Sequence, residues 1–235
     1  MITLPPPVFS TRWRDADISV FAADFSSPLT PAMAASVLSA EEMERAERFH
    51  FPDDRERWIR SRALLRLSLA DRLNATAASL TFQLSTRGKP RLPGHPGCHF
   101  NLSHSGDMVA VAIRPGPVGI DIERRRDNLP VVSLAAHAFL PDEAAAIRTA
   151  AHPHALFYQL WTAKEAVMKC TGLGMCLPPG EISVSSQNGA PSLATCSGGG
   201  SFSVLSLPVA NNYSLAVAVL TGSTAPAHLH VSVPA

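Results

Sequence analysis

Alternating apolar and polar positions mark short strands that recur in the two halves of the chain. Asp17-Ile18-Ser19-Val20-Phe21 alternates near the start, and Val118-Gly119-Ile120-Asp121-Ile122-Glu123 does so past the midpoint. That period of two is the signature of a half-buried strand. Each segment is followed by a helix start, Leu38-Ser39-Ala40-Glu41-Glu42 in one half and Leu140-Pro141-Asp142-Glu143 in the other. Ser39 with Glu42 has the spacing of a capping box. A longer helix then runs through Trp58 to Leu65 and, in the second half, through Trp161 to Met168. Trp58 and Trp161 stand at the same offset as Ala63 and Ala166. Strands are predicted next at 80–84 and 182–184, and the last strand of each half at 109–113 and 215–219.

This repeated order predicts an α+β fold built as two pseudo-symmetric α+β lobes on one chain, residues 1–114 and 115–235. They join at Arg114-Pro115-Gly116-Pro117. The alternative is one continuous α+β domain without internal symmetry. Between two such lobes a ligand pocket is expected.

With 235 residues, 46% of them hydrophobic and 17% charged, the chain can bury a substantial core. Its formal net charge of +1 sets up no global field for nucleic acid or an anionic membrane, so phosphate binding must come from local clusters. Residues 1–7 lack the basic and apolar regions of a signal peptide. No run approaches the roughly 18 apolar residues of a membrane span. Cys98, Cys170, Cys176 and Cys196 show no C-x-x-C pairing. The expectation is a cytoplasmic protein with reduced thiols and with neither nucleic-acid nor membrane partners.

Three segments carry candidate chemistry. Asp121 and Glu123, two apart in an extended run, leave one face of the strand while Ile120 and Ile122 leave the other. Two adjacent carboxylates repel each other and favour a cation between them, although two solvated acids on an amphipathic strand give the same pattern. In the second segment, Phe157, Leu160, Trp161 and Met168 form an apolar helical stripe. Glu165 and Lys169, one turn apart, share a face with Trp161. They are either a surface ion pair or a metal ligand and a phosphate donor. The third segment is the turn Arg87-Gly88-Lys89-Pro90 followed by Phe100-Asn101-Leu102-Ser103-His104-Ser105-Gly106. Arg87 and Lys89 would be presented as donors there. Ser103 and His104 make a poor hydrolase pair, since no G-x-S-x-G elbow is present, but a reasonable phosphate-binding turn. Eight arginines from Arg45 to Arg72 alternate with acids, as on a solvated helix face.

Taken in order, Gly88-Lys89-Pro90, Phe100 to Ser105, Gly119 to Glu123 and Trp161 to Lys169 resemble the signatures of 4′-phosphopantetheinyl transferases of the surfactin-synthetase-activating type. The resemblance covers roughly residues 38–184. It implies two pseudo-symmetric lobes with coenzyme A between them and Mg²⁺ on its pyrophosphate. Asp121, Glu123 and Glu165 would be the metal ligands, with Glu165 also the candidate base. Lys169 would contact a pyrophosphate oxygen, and His104 and Arg45 the 3′-phosphate. Arg87, Gly88 and Lys89, with Ser103, would flank the adenine and phosphates. The implied partner is an acyl or peptidyl carrier protein from fatty-acid, polyketide, nonribosomal-peptide or siderophore assembly, and the implied working unit is a monomer. The chain departs from some relatives at Glu42, where they carry a basic residue, and at Arg87, where they carry an aromatic one. The carrier is expected beside residues 171–179, with Leu173 and Met175 either exposed to meet it or tucked into the core of the second lobe. Two rivals are a metal-dependent nuclease, which wants its Glu and Lys on a strand, and a non-catalytic module that binds coenzyme A or a carrier protein.

Overall fold

The first alternating segment is strand β2 (Ile18–Asp24), paired antiparallel with a preceding strand β1 (Phe9–Trp13) that no sequence pattern marks. The computed structural model describes residues 9–13, 18–24, 29–187, 189–197, 199–209 and 212–221. Residues 1–7 and Asp17, where the alternation begins, lie outside them. After β2 come α1 (Pro31–Ala35), α2 (Ala40–Glu47) and α3 (Pro52–Leu73). The capping box at the start of α2 is present in both directions. Ser39 Oγ accepts the Glu42 amide at 3.3 Å, and Glu42 Oε2 accepts the Ser39 amide at 3.0 Å, a cap worth about 1 kcal/mol. A two-stranded ribbon follows, β3 (Gln83–Leu84) with β4 (Pro90–Arg91), and then β5 (His99–Ser105), β6 (Met108–Arg114) and β7 (Val118–Arg124). The second half continues with α4 (Val131–Ala138), α5 (Pro141–Thr149) and the long α6 (Pro153–Thr171). It ends in β8 (Ile182–Gln187), β9 (Ala190–Cys196), β10 (Ser201–Leu207) and β11 (Tyr213–Thr221).

The strands form two antiparallel sheets, in the orders β1-β2-β6-β5 and β7-β11-β10-β9-β8. They lie face to face. Ile18, Val20, Met108 and Ala110 of one pack with Ile120, Ile122, Leu215 and Val217 of the other in a single core. On the outer face of the first sheet, Leu64, Leu65 and Leu69 of α3 cover Val109, Val111 and Ile113. On the outer face of the second, Ala163, Ala166 and Val167 of α6 cover Ala216 and Ala218. The fold is α+β, layered helix–sheet–sheet–helix. Each large aliphatic side chain buried this way contributes about 1.5–3 kcal/mol. The two halves therefore hold each other through a shared layer rather than through separate cores.

The halves differ where the repeat predicts a strand at 80–84. There the chain makes a 3₁₀ turn at Ala77–Ser79, and only Gln83 and Leu84 pair, in the ribbon outside the main sheet. The cause is Arg66, buried to 1% exposure, whose Nη1 donates to the carbonyls of Ala77 at 2.6 Å and Leu80 at 3.1 Å. With those carbonyls committed to a guanidinium and Leu80 buried under α3, the segment has no free edge to join a sheet.

Candidate active site between two sheet edges

Gly119 explains how α6 reaches the carboxylates. A Cβ at this position would stand 1.9 Å from the Ala166 carbonyl oxygen and 2.4 Å from the Cys170 amide nitrogen. Only a residue without a side chain lets α6 cross β7 this closely. The crossing brings Lys169, one turn from Ala166, onto Asp121, two residues beyond the glycine. Lys169 Nζ donates to Asp121 Oδ1 at 2.5 Å and to Ser103 Oγ at 2.9 Å, and Ser103 Oγ donates in turn to Asp121 Oδ1 at 2.9 Å. Serine, lysine and aspartate thus close a triangle across three elements.

Strands β5 and β7 are the edges of their sheets, and an unpaired edge is ordinarily a liability. Here they face each other and are joined by side chains instead of a backbone ladder. Alternate residues of β5 reach across: Asn101 Oδ1 accepts the Ile120 amide at 2.9 Å, Ser103 binds Asp121, and Ser105 Oγ donates to Glu123 Oε2 at 2.7 Å while accepting the Arg124 amide at 3.1 Å. The period of two in a strand is what puts all three on one side.

The electrostatics single out the three predicted carboxylates. Burial pushes Asp121, Glu123 and Glu165 above their ordinary carboxylate values; Glu123 and Glu165 are raised further by the charge of Asp121, and Lys169 pulls all three back. Asp121 is 2% exposed. Its Oδ2 is buried without a well-formed hydrogen bond, the neighbouring Ile122 amide only tempering its charge. Two observations bear on a divalent cation. The donors are hard carboxylate oxygens, the kind Mg²⁺ takes, and one of them is an orphaned buried acceptor, which fits. Against that, no three His, Cys, Asp or Glu side chains among the described residues converge closely enough to hold an ion as they stand. The chemistry of the donor set fits the ion.

The other predicted residues fall into separate places. His104 points to the opposite face of β5 from Ser103; although it is solvent-exposed, the protein around it, followed by the charges of Lys169 and Arg57, holds its imidazole below the usual histidine value. Arg57, in the first half of α3, pairs with Asp54 at 3.0 Å. Arg45 lies over the Trp58 ring at 5.7 Å and lines a groove of about 600 Å³ together with Ser39, Trp58, Arg62 and Gly88. Gly88 has φ of 79°, as its turn requires. Exposed Arg87 and the partly buried Lys89 line a different cavity, on the side of the turn that faces the end of α6.

Two expectations need correction. Lys89 is not presented as a phosphate donor: its Nζ binds the carbonyl oxygens of Lys169 at 2.6 Å, Val118 at 3.1 Å and Cys170 at 3.4 Å, which occupies all three protons. The arginines of α3 are not uniformly solvated either. Glu42 Oε1 accepts from Arg62 Nε at 2.5 Å and Oε2 from Arg66 Nε at 2.6 Å, a buried ionic cluster. Glu42 therefore serves the core of the first half. The motif of α6 holds a further structural cation. Lys164, 0% exposed, pairs with Glu143 Oε2 at 2.7 Å and donates to the carbonyls of Pro179 and Ile182. Its position among apolar neighbours was the signal that it is buried.

Residues 117–218 match the family described as the 4′-phosphopantetheinyl transferase superfamily, and residues 27–116 match the one described as 4′-phosphopantetheinyl transferase, N-terminal. A 4′-phosphopantetheinyl transferase of Bacillus subtilis is 34% identical over 152 residues, 63% of this chain and 66% of that protein. The transferase HetI of Nostoc sp. is 37% identical over 147 residues, 60% of this chain and 62% of its own. The transferase Sfp of Bacillus subtilis strain 168 is 32% identical over 152 residues, 63% of this chain and 66% of its own. The aligned region thus spans just under two thirds of these relatives' length. In shape, a holo-[acyl-carrier-protein] synthase of Thermotoga maritima is loosely similar, with a TM-score of 0.37 and 18% identity over 44% of this chain and 62% of its own. Two adjoining family matches, meeting in the turn between β6 and β7 and together taking in both sheet edges and the Ser103–Asp121–Lys169 triangle, establish that the chain belongs to the 4′-phosphopantetheinyl transferase superfamily.

Proposed function

We propose that this chain transfers the 4′-phosphopantetheine group of coenzyme A to a serine of an acyl or peptidyl carrier protein, releasing adenosine 3′,5′-bisphosphate. The observation that carries this reading is the convergence of Ser103, Asp121 and Lys169, with Glu123 and Glu165 beside them, at the junction of the two matched regions. Asp121, Glu123 and Glu165 would hold Mg²⁺, which when bound supplies positive charge to the pyrophosphate and the departing phosphate. Lys169, which gives one proton to Asp121 and one to Ser103, keeps a third for a phosphate oxygen, with Ser103 holding the carboxylate beside it. A serine hydroxyl is a weak nucleophile until its proton is taken. Glu165 is partly exposed on the site side of α6, which leaves its carboxylate open to an arriving hydroxyl. In this scheme the serine proton passes to a carboxylate oxygen of Glu165. The serine oxygen then bonds to the β-phosphorus as the bond to the bridging oxygen breaks, and the adenosine bisphosphate carries that oxygen away. Arg45 and His104 are assigned to the 3′-phosphate, and Arg87 and Gly88 to the adenine side.

We keep the two lobes divided between residues 114 and 115, in the turn that joins β6 to β7. We take the chain to work as a monomer in the cytoplasm; the four free cysteines suit a reducing compartment. Incubation with coenzyme A, Mg²⁺ and a panel of carrier proteins, read by the intact mass of each carrier, tests the reading. A phosphopantetheine adduct that forms with the wild type and not with Asp121→Ala is expected. Binding of coenzyme A without any adduct on any carrier would make the chain a binding module instead.

A further inference from the structure

Lys89 is the one basic residue of the Gly-Lys-Pro turn that reaches across to the other half of the molecule. The turn itself is rigid: the Ser85 amide donates to the Lys89 carbonyl at 2.8 Å, the Gly88 amide to the Ser85 carbonyl at 2.9 Å and the Lys89 amide to Ser85 Oγ at 3.0 Å. From this base the side chain runs past Gly172, whose Cβ, were there one, would stand 3.6 Å from Lys89 Cδ. The ammonium then spends its three protons on the carbonyls of Lys169 at 2.6 Å, Val118 at 3.1 Å and Cys170 at 3.4 Å. Two of these belong to the last turn of α6, whose final carbonyls have no intrahelical donor, and a cation is favoured at that end of a helix. The third belongs to the first residue of β7, next to the Gly119 crossing. Lys89 therefore ties together the two elements that carry Lys169 and Asp121, from a turn in the opposite half of the chain.

We propose that Lys89 is a positioning residue for phosphopantetheine transfer: its ammonium fixes the end of α6 against the start of β7, and so sets Lys169 on Asp121, rather than binding a phosphate of coenzyme A. The proposal rests on the transferase reading above. It differs from a phosphate-donor role in what its loss does. A phosphate donor contributes chiefly to coenzyme A affinity, whereas a tether contributes to the geometry of the reacting groups.

Lys89→Met keeps the length and apolar stem of the side chain and removes all three donors, and Lys89→Gln keeps a shorter amide should the methionine variant not fold. For each, kcat, the dissociation constant of coenzyme A and amide hydrogen exchange over residues 118–120 and 168–172 are measured beside the wild type. The expected result is a kcat lower by on the order of 10²-fold, the size of effect that a misplacement of about 1 Å produces. Coenzyme A affinity stays close to wild type, and exchange rises in the last turn of α6 but not in β2. Weakened coenzyme A binding at unchanged kcat would overturn the proposal in favour of direct phosphate contact. A lowered melting temperature with unchanged kinetics would overturn it in favour of plain stabilisation. If the wild type modifies no carrier, the transferase reading fails, while the exchange data still decide whether Lys89 holds the end of α6.

Discussion

Ser103 Oγ donates to Asp121 Oδ1 at 2.9 Å, joining the edge of one sheet to the edge of the other at the point where Lys169 also binds. The hydroxyl has a single proton, so Asp121 fixes its direction and leaves its lone pairs to Lys169. Ser103→Ala removes a hydrogen bond to a charged group, worth about 1.5–3 kcal/mol, and leaves Lys169 with the carboxylate alone. The melting temperature should fall and coenzyme A should bind more weakly. Ser105→Ala, two residues along the same stitch, should lower the melting temperature and leave coenzyme A affinity alone. Calorimetry of both variants checks this, and equal losses of affinity would remove Ser103 from the phosphate site.

Gly119 gives the most severe substitution. Its absent Cβ would meet backbone, the Ala166 carbonyl at 1.9 Å, and neither β7 nor α6 can rotate a backbone atom out of the way. Overpacking a core typically costs about 1–3 kcal/mol, and a backbone clash lies at or beyond the upper end. Gly119→Ala should therefore lower the denaturation midpoint strongly, and any folded fraction should show transfer reduced with the carrier and coenzyme A concentrations saturating. A variant with wild-type stability and kcat would mean that α6 can ride higher over β7 without consequence for Asp121 and Lys169.

What the sequence disclosed and what it hid divide along the same physical line. The period-2 run around Asp121 and the one-turn spacing of Glu165 and Lys169 are local, and both carboxylates and the helix face lie where those periods put them. The capping box at Ser39 is local too. Long-range partners left little trace. Nothing in Leu80 to Leu84 announces that Arg66 holds the carbonyls of Ala77 and Leu80. Nothing in Gly-Lys-Pro announces that Lys89 caps a helix 80 positions away. A charged side chain reads as solvated until its acceptors are known, which is why Arg66, Lys164 and Lys89 all needed the three-dimensional arrangement.

The two glutamates of the first and second halves should respond oppositely to pH. Burial first, and then the charge of Asp121, holds Glu165 above its ordinary value of 4.5. In the window above that value the folded chain keeps a proton that the unfolded chain has released, so stability falls as pH rises through it. Metal-free Glu165→Gln should accordingly melt higher than wild type at neutral pH, lose that advantage in acid below 4.5, and lose kcat by on the order of 10²-fold or more. Glu42 is pulled upward by burial, but the Ser39 amide and the Arg66 and Arg62 guanidiniums outweigh that and leave it below 4.5. Its contribution is present above the unfolded value and is lost as pH falls through the folded one. Glu42→Gln should cost about 3–5 kcal/mol at neutral pH, the size expected for breaking a buried ion pair, and progressively less in acid. Melting curves of both variants across pH check the signs; parallel profiles would refute the assignment of opposite shifts.

The segment after α6 resolves the expected exposed pair into one inside and one outside residue. Leu173 packs against the α6 side of the second sheet, and Leu177, 5% exposed, closes the other end of the turn. Between them the 3₁₀ turn Gly174–Cys176, held by the Cys176 amide on the Leu173 carbonyl at 3.2 Å, pushes Met175 out to 76% exposure. An apolar side chain presented this way is a natural contact for a partner, and it lies just past the helix that carries Glu165, where the proposed transfer would bring the attacking serine. Arg87 lines the same cavity as Thr171 and Gly172, so a basic group stands close by to steer an acidic carrier. Met175→Asp should raise the KM for the carrier about tenfold, equivalent to 1.4 kcal/mol, and leave the KM for coenzyme A unchanged. Leu173→Asp should instead lower the melting temperature, since it places a charge in the core. Steady-state kinetics with carrier and coenzyme A varied separately, beside thermal melts, distinguish the two. An unmoved carrier KM in folded Met175→Asp would place the docking surface elsewhere, and an unmoved melting temperature in Leu173→Asp would return Leu173 to the surface.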